Sequence, residues 1–162
     1  MLVRGDNLKT WKQYAIRIGL AEAVGALAAL LTRGGIKNFN ETAVKPALMP
    51  PGFLFPLVWA LLYALMGISA ARIALAPPSL AQTQAKKIYR LQLAFNFFWS
   101  IIFFSLQAYG LALIWILILW SLIIAMIVSF HKVDPLAALL QLPYLLWVSF
   151  AALLNLGVLV RN

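Results

Sequence analysis

Residues 45–63 read K-P-A-L-M-P-P-G-F-L-F-P-L-V-W-A-L-L-Y, a proline-rich polar turn running straight into a long apolar segment. Proline suits the mouth of a helix, where the first-turn amides have no intrahelical acceptor to lose, so Pro51 is expected in a first turn. Beyond it Phe55, Trp59 and Tyr63 recur at every fourth position and share one helix face. A helix needs about 20 apolar residues to cross about 30 Å of hydrocarbon, and five segments qualify: 14–32, 51–76, 88–107, 110–130 and 135–160. Of 162 residues, 64% are hydrophobic and the mean hydropathy is +0.93, whereas a soluble domain is apolar at roughly half its positions. The runs are continuous rather than alternating, so helices and not barrel strands are implied. The fold class is an all-α integral membrane protein, a five-transmembrane-helix bundle. The whole chain, 1–162, forms one membrane domain, with the polar stretch 33–49 as a lid-like loop.

The net charge of +9 comes from thirteen Lys and Arg against four acids, and the cations cluster at the ends of apolar segments. That placement favours membrane lipid headgroups as the counter-charge and argues against nucleic acid. Arg4, Lys9, Lys12, Arg17, Arg72, Lys86, Lys87, Arg90 and Lys132 fall on one side of five spans; Arg33, Lys37, Lys45 and Arg161 fall on the other. The positive-inside rule then puts the amino terminus in the cytoplasm. The first segment runs on at spanning length without a small-residue cleavage site and reads as a retained helix. With no cysteine there are no disulfides or thiolate chemistry. The single histidine, His131, beside Lys132 and Asp134, reads as a solvated helix end; a metal site needs several convergent ligands.

In the first segment Ala21, Gly25 and Ala29 form a small-residue stripe that serves either a dimer face or a packing groove inside one bundle. Glu22 beside it is an intramembrane acid, either functional or reaching water. Pro56 and Pro143 are expected to bend the second and fifth helices. Gln92, Asn96, Trp99 and Phe103 share a face of the third helix, as ligand contacts or as polar glue between helices. The fourth helix, with Trp115 and Trp120, has no polar stripe and reads as lipid-facing filler. In the fifth, Trp147, Ala151 and Asn155 recur at four-residue spacing; the small residue leaves room for something flat or for a neighbouring helix.

Three ordered motifs, K-P-A-L-M-P-P-G-F-L-F-P-L-V-W-A-L-L-Y at 45–63, Q-L-A-F-N-F-F-W-S at 92–100 and P-Y-L-L-W-V-S-F-A-A-L-L-N at 143–155, resemble those of the TspO, or translocator protein, family of tryptophan-rich sensory proteins. The resemblance implies a five-helix bundle, usually a homodimer, in a membrane that is here expected to be a bacterial cell membrane. It also implies a cavity open toward the loop after the first helix. The family's ligands are porphyrins and other tetrapyrroles, sterols and synthetic drugs. By motif, its cavity residues fall on Trp59, Tyr63, Asn96, Trp99, Trp147 and Ala151, with Asn155 as the amide near the end; Phe55, Gln92 and Phe103 extend the same faces. Two departures stand in the loop: Phe39 and Asn40 occupy the place of a Trp-Tyr pair, and Leu48 that of an aromatic. Those loop aromatics are implicated in light-dependent porphyrin degradation by some members, so their loss counts against that activity. The family's sterol pattern fails too, with Leu156 in its tyrosine position; it does fit Leu8, Tyr14 and Arg17, which shows how readily it matches by chance.

The function expected is a membrane-embedded binding or translocator protein for flat apolar ligands, porphyrins or other tetrapyrroles above all, with a sensory or regulatory role alongside. The alternative is an enzyme promoting light-dependent porphyrin degradation. No catalytic residue, metal or cofactor is expected; porphyrin or haem enters as ligand. The partners are that small molecule, membrane lipid and a second copy of the chain.

Overall fold

The computed structural model describes residues 3–162, with side chains from Thr10 onward. Arg4, Asp6, Leu8 and Lys9, which entered the charge count or the sterol pattern, have side chains outside the described residues. The helices are α1 (Val3–Thr42), α2 (Leu54–Leu75), α3 (Leu80–Ser100), α4 (Tyr109–His131), α5 (Pro135–Leu139) and α6 (Leu142–Leu159), and α3 continues into a π-helical turn, Ile101–Ser105. Five stretches among the described residues are long and apolar enough to span: Thr10–Thr42, Leu54–Leu75, Leu80–Ser105, Tyr109–His131 and Pro135–Leu159. The protein is thus an all-helical integral membrane protein.

Several boundaries differ from the sequence expectation. The stretch 33–49 is not a loop throughout, because α1 continues to Thr42 and only 43–53 is irregular. The expected span ends at 32, yet the helix runs on through Gly34 and Gly35, and Gly35 makes a contact: a Cβ there would run into the Phe104 carbonyl of the π turn. At the other membrane face α3 starts at Leu80, where Ser79 accepts from the Gln82 amide at 3.0 Å. The Gln82 side chain reaches back to the last carbonyls of α2, Ile73 at 2.9 Å and Ala76 at 2.8 Å. Hydropathy located the apolar part of this helix and missed the polar turns that precede it.

The prolines act differently from one another. Pro51 precedes α2, in a turn closed by Leu54 N–H donating to its carbonyl at 3.0 Å. Pro56 is the third residue of the helix, where it removes no intrahelical bond, so it puts no bend in α2. Pro143 sits in the first turn of α6, just past the break that divides the fifth span into α5 and α6. That break is fixed by Gln141, whose Nε2 donates to Ser69 Oγ at 2.7 Å on α2.

Helix α4 is more than lipid-facing filler. Ala112, Ile116, Leu119, Ile123, Met126 and Phe130, alternating four and three apart, form a fully buried stripe against α3 and α6. Its Trp115 stacks on Phe95 at 4.5 Å and donates to the Phe95 carbonyl at 2.8 Å; Trp120 donates to Ser149 Oγ at 2.8 Å. The α1 small-residue stripe divides. Ala21 is buried and a Cβ on Gly25 would strike the Tyr63 ring, so both belong to the α1–α2 contact, while Ala29 stays open. Gly67 completes that contact from α2, since a Cβ there would meet the Ile18 backbone. The internal packing groove accounts for the Ala21 and Gly25 part of the stripe.

Candidate functional site

Helix α6 packs on α4 and approaches α2 through side chains, Phe55 against Trp147 at 5.8 Å and Trp59 against Tyr144 at 6.2 Å. The space this leaves is a cavity of about 400 Å³ bounded by α1, α2, the end of α3 and α6, at the membrane face that carries the 43–53 linker. One wall is small: Gly25, Ala28, Ala29, Thr32 and Ile36 follow the helical repeat along α1. The facing walls are aromatic, with Phe55, Trp59 and Tyr63 from α2, Trp99, Phe103 and Phe104 from the third span, and Trp147 from α6. Trp59 lies 5.6 Å from Tyr63, and Trp99 stacks on Phe103 at 5.1 Å.

The π turn explains how two consecutive residues, Phe103 and Phe104, both reach the cavity. An α-helix points successive side chains about 100° apart, and the wider turn rotates the chain there. Phe39, in the last turns of α1, closes the group, with its ring 5.3 Å from Phe103 and 5.6 Å from Phe104. Lys45 Nζ stands 5.7 Å over the Phe39 ring and donates to Asn40 Oδ1 at 3.0 Å, which puts a cation at the cavity mouth. The linker bearing it is tied to the chain end: Val44 N–H donates to Asn162 Oδ1 at 2.9 Å, and Asn162 Nδ2 donates to the Val44 carbonyl at 3.1 Å.

Of the expected site residues, Phe39, Asn40, Phe55, Trp59, Tyr63, Trp99, Phe103, Trp147, Ala151 and Asn155 meet around this cavity. Gln92, Asn96 and Leu48 do not. Asn96 Nδ2 donates to Tyr144 Oη at 3.0 Å, and Tyr144 donates to Gln92 Oε1 at 3.0 Å, a buried clamp between α3 and α6 behind the lining. Leu48 points outward from the linker and is exposed. Asn155 lines the cavity with its amide already engaged: it accepts from Trp99 Nε1 at 3.4 Å and donates to the Tyr109 carbonyl at 2.9 Å. Trp147 is the reverse case, since its Nε1 is buried and has no acceptor.

Sequence reasoning missed Thr32, Ile36, Lys45, Met49 and Phe104. The first two continue the Gly25–Ala29 periodicity, and Ile36 fell beyond the expected end of the helix at 32. Phe104 needed the π turn. Chemically the site is apolar and aromatic with Lys45 as its cation; its polar groups include the Tyr63 phenol, the Trp59 indole and the Ser100 and Thr32 hydroxyls, the last donating to the Ala28 carbonyl at 2.7 Å, while the Trp147 N–H is enclosed by protein atoms. Among the described residues no group of three His, Cys, Asp or Glu side chains comes together to hold a metal.

Fold and site together define a membrane-spanning helix bundle that encloses an aromatic ligand-sized cavity near one face. The TspO/MBR family pattern matches residues 17–161. The chain is 36% identical over 156 residues to the tryptophan-rich protein TspO of Chlorobaculum tepidum, covering 91% of this chain and 94% of that one. It is 34% identical to protein CrtK of Rhodobacter capsulatus, covering 90% and 89%, and 34% identical to the translocator protein of Bos taurus, covering 81% and 79%. The chain belongs to the TspO/MBR family.

Proposed function

We propose that this protein binds, and carries or reports on, flat apolar molecules with an acceptor-bearing edge, tetrapyrroles such as porphyrins foremost. The observation that carries the reading is the aromatic cavity with a cation at its mouth. A void of about 400 Å³ falls in the size range of ligand pockets, and its aromatic faces suit a flat ring. Lys45 at the mouth adds a charge partner for the carboxylates that edge a porphyrin. The names of the relatives, translocator and sensory protein, agree with binding coupled to transport or signalling. Porphyrin or haem is a ligand here rather than a cofactor.

Titration of the purified protein with protoporphyrin and with haem tests this. A shifted porphyrin absorption band with saturable quenching of tryptophan emission is expected; an unshifted band with unquenched tryptophan overturns it. Illumination of the complex separates the alternative, since a product that accumulates with turnover marks a degrading enzyme. We further infer, from nine basic residues against four, that the amino terminus is cytoplasmic and the cavity opens on the far side of a bacterial cell membrane. Reporters fused to the two ends should then respond on opposite faces. A homodimer belongs to the same reading, and crosslinking in membranes tests it; its interface lies outside the Ala21–Gly25 contact, which is used within one chain.

A further inference from the structure

At the opposite membrane face from the aromatic cavity, a second cavity of about 350 Å³ lies between α1 and α3, closed behind by α2 and the end of α4. Arg17, Lys86 and Arg90 line it. Lys86 and Arg90 are four apart on α3, hence on one face, and Arg17 meets them from α1. Among the described residues none of the three makes an ion pair or a side-chain hydrogen bond, and no acid lines this cavity.

The other half of the cavity is apolar in a directed way. Leu20 and Val24 follow Arg17 along α1, and Leu93 follows Arg90 along α3. At about 1.5 Å per residue these lie roughly 5–10 Å deeper in the membrane than the cations that precede them. Leu20 and Arg90 are exposed at the bundle surface, so the cavity is reached sideways from the bilayer. Cations at headgroup depth above an apolar groove open to lipid match one chemistry, an anion joined to a hydrocarbon chain.

We propose that this cavity is a binding site for one anionic phospholipid on the amino-terminal side of the membrane, with the phosphate among Arg17, Lys86 and Arg90 and the first part of an acyl chain along Leu20, Val24 and Leu93. It is separate from the aromatic cavity and does not depend on what that cavity binds.

Native mass spectrometry of the full chain in detergent, with equal amounts of dioleoyl phosphatidylglycerol and dioleoyl phosphatidylcholine, tests the proposal. One phosphatidylglycerol should be retained in preference. Lys86→Gln and Arg90→Gln should each weaken that retention about fivefold, and Lys12→Gln, exposed on the same side outside the cavity, should leave it unchanged. Leu20→Trp, which alters no charge, should also weaken it by filling the groove, with helical content by circular dichroism as the folding check. Three results overturn the proposal: equal retention of the two lipids, an equal loss in Lys12→Gln, or displacement of the lipid by millimolar inorganic phosphate or glycerol phosphate. The first denies a site, the second makes the attraction diffuse, and the third makes the ligand a free anion.

Discussion

Replacing Trp147 by Phe should leave ligand affinity nearly unchanged while costing no stability. The indole of Trp147 packs edge-on to Phe55 at 5.8 Å and tilts against Phe150 at 5.7 Å. A phenyl ring keeps both contacts, and the volume it gives up joins a cavity that already exists instead of opening a sealed void. What disappears is Nε1–H, a buried donor with no partner. A buried unsatisfied donor costs about 1–3 kcal/mol, so the ligand-free variant should be no less stable than the parent. The N–H is enclosed by protein atoms and out of reach of a ligand in the void, so its loss should change the porphyrin Kd by less than about threefold, under about 0.7 kcal/mol. Thermal unfolding in detergent measures the first quantity and tryptophan quenching by protoporphyrin, with five indoles remaining from six, measures the second. A ligand-free variant that melts earlier, or one whose protoporphyrin Kd rises about tenfold, would refute the argument that this donor is unpaired and shielded from the cavity.

Ala151→Phe places a ring inside the cavity and should weaken protoporphyrin binding more than tenfold, whereas Trp120→Ala, whose indole bonds Ser149 away from the cavity, should leave the Kd unchanged; equal effects would place the ligand elsewhere. Gly67→Ala drives a Cβ into the Ile18 backbone, which cannot rotate aside, and should destabilise the bundle by about 1–3 kcal/mol in reversible unfolding; a neutral result would mean that α1 and α2 are free to separate. Burial acts to raise the Asp134 carboxyl, yet the Ala137 amide, the bonded and charged Arg72 guanidinium and the Leu136 amide outweigh it and hold the pKa below the usual carboxylate value. A depressed folded pKa gives stability that is present above the unfolded value of about 3.9 and is lost as pH falls below it. An acid-unfolding limb below about pH 4 should therefore flatten in Asp134→Asn, and a limb unchanged by the substitution would remove Asp134 as its cause.

The spans and the aromatic wall were legible in the sequence because both follow from one-dimensional periodicity. Phe55, Trp59 and Tyr63 must share a face wherever α2 sits, and a run such as Gly110–Phe130 can only be buried in protein or lipid. What escaped depends on a second chain segment. Gly35 was expected in a loop because its reason, the Phe104 carbonyl beside it, lies 69 residues away in sequence. Asn96 looked like a ligand contact because its partner Tyr144 belongs to another helix. A buried amide on a helix face demands a hydrogen bond, and only the fold decides whether protein or ligand supplies it.

The origin of the aromatic cavity shows the same dependence. Proline kinks were the expected source of space, yet Pro56 leaves α2 unbent and Pro143 marks a break on the side away from the linker. The space comes instead from a mismatch of side-chain size: α1 offers Gly25, Ala28 and Ala29 where the other helices offer Trp59, Tyr63, Trp99 and Trp147. Rings that are already in contact with one another, Trp59 with Tyr63 and Trp99 with Phe103, cannot swing across to fill the gap without losing those contacts. On the α1 side, Gly25 is held at the Tyr63 ring and Gly35 at the π turn, so α1 cannot move inward. The void is therefore braced from both walls, which is the condition for a cavity that keeps its shape without an occupant.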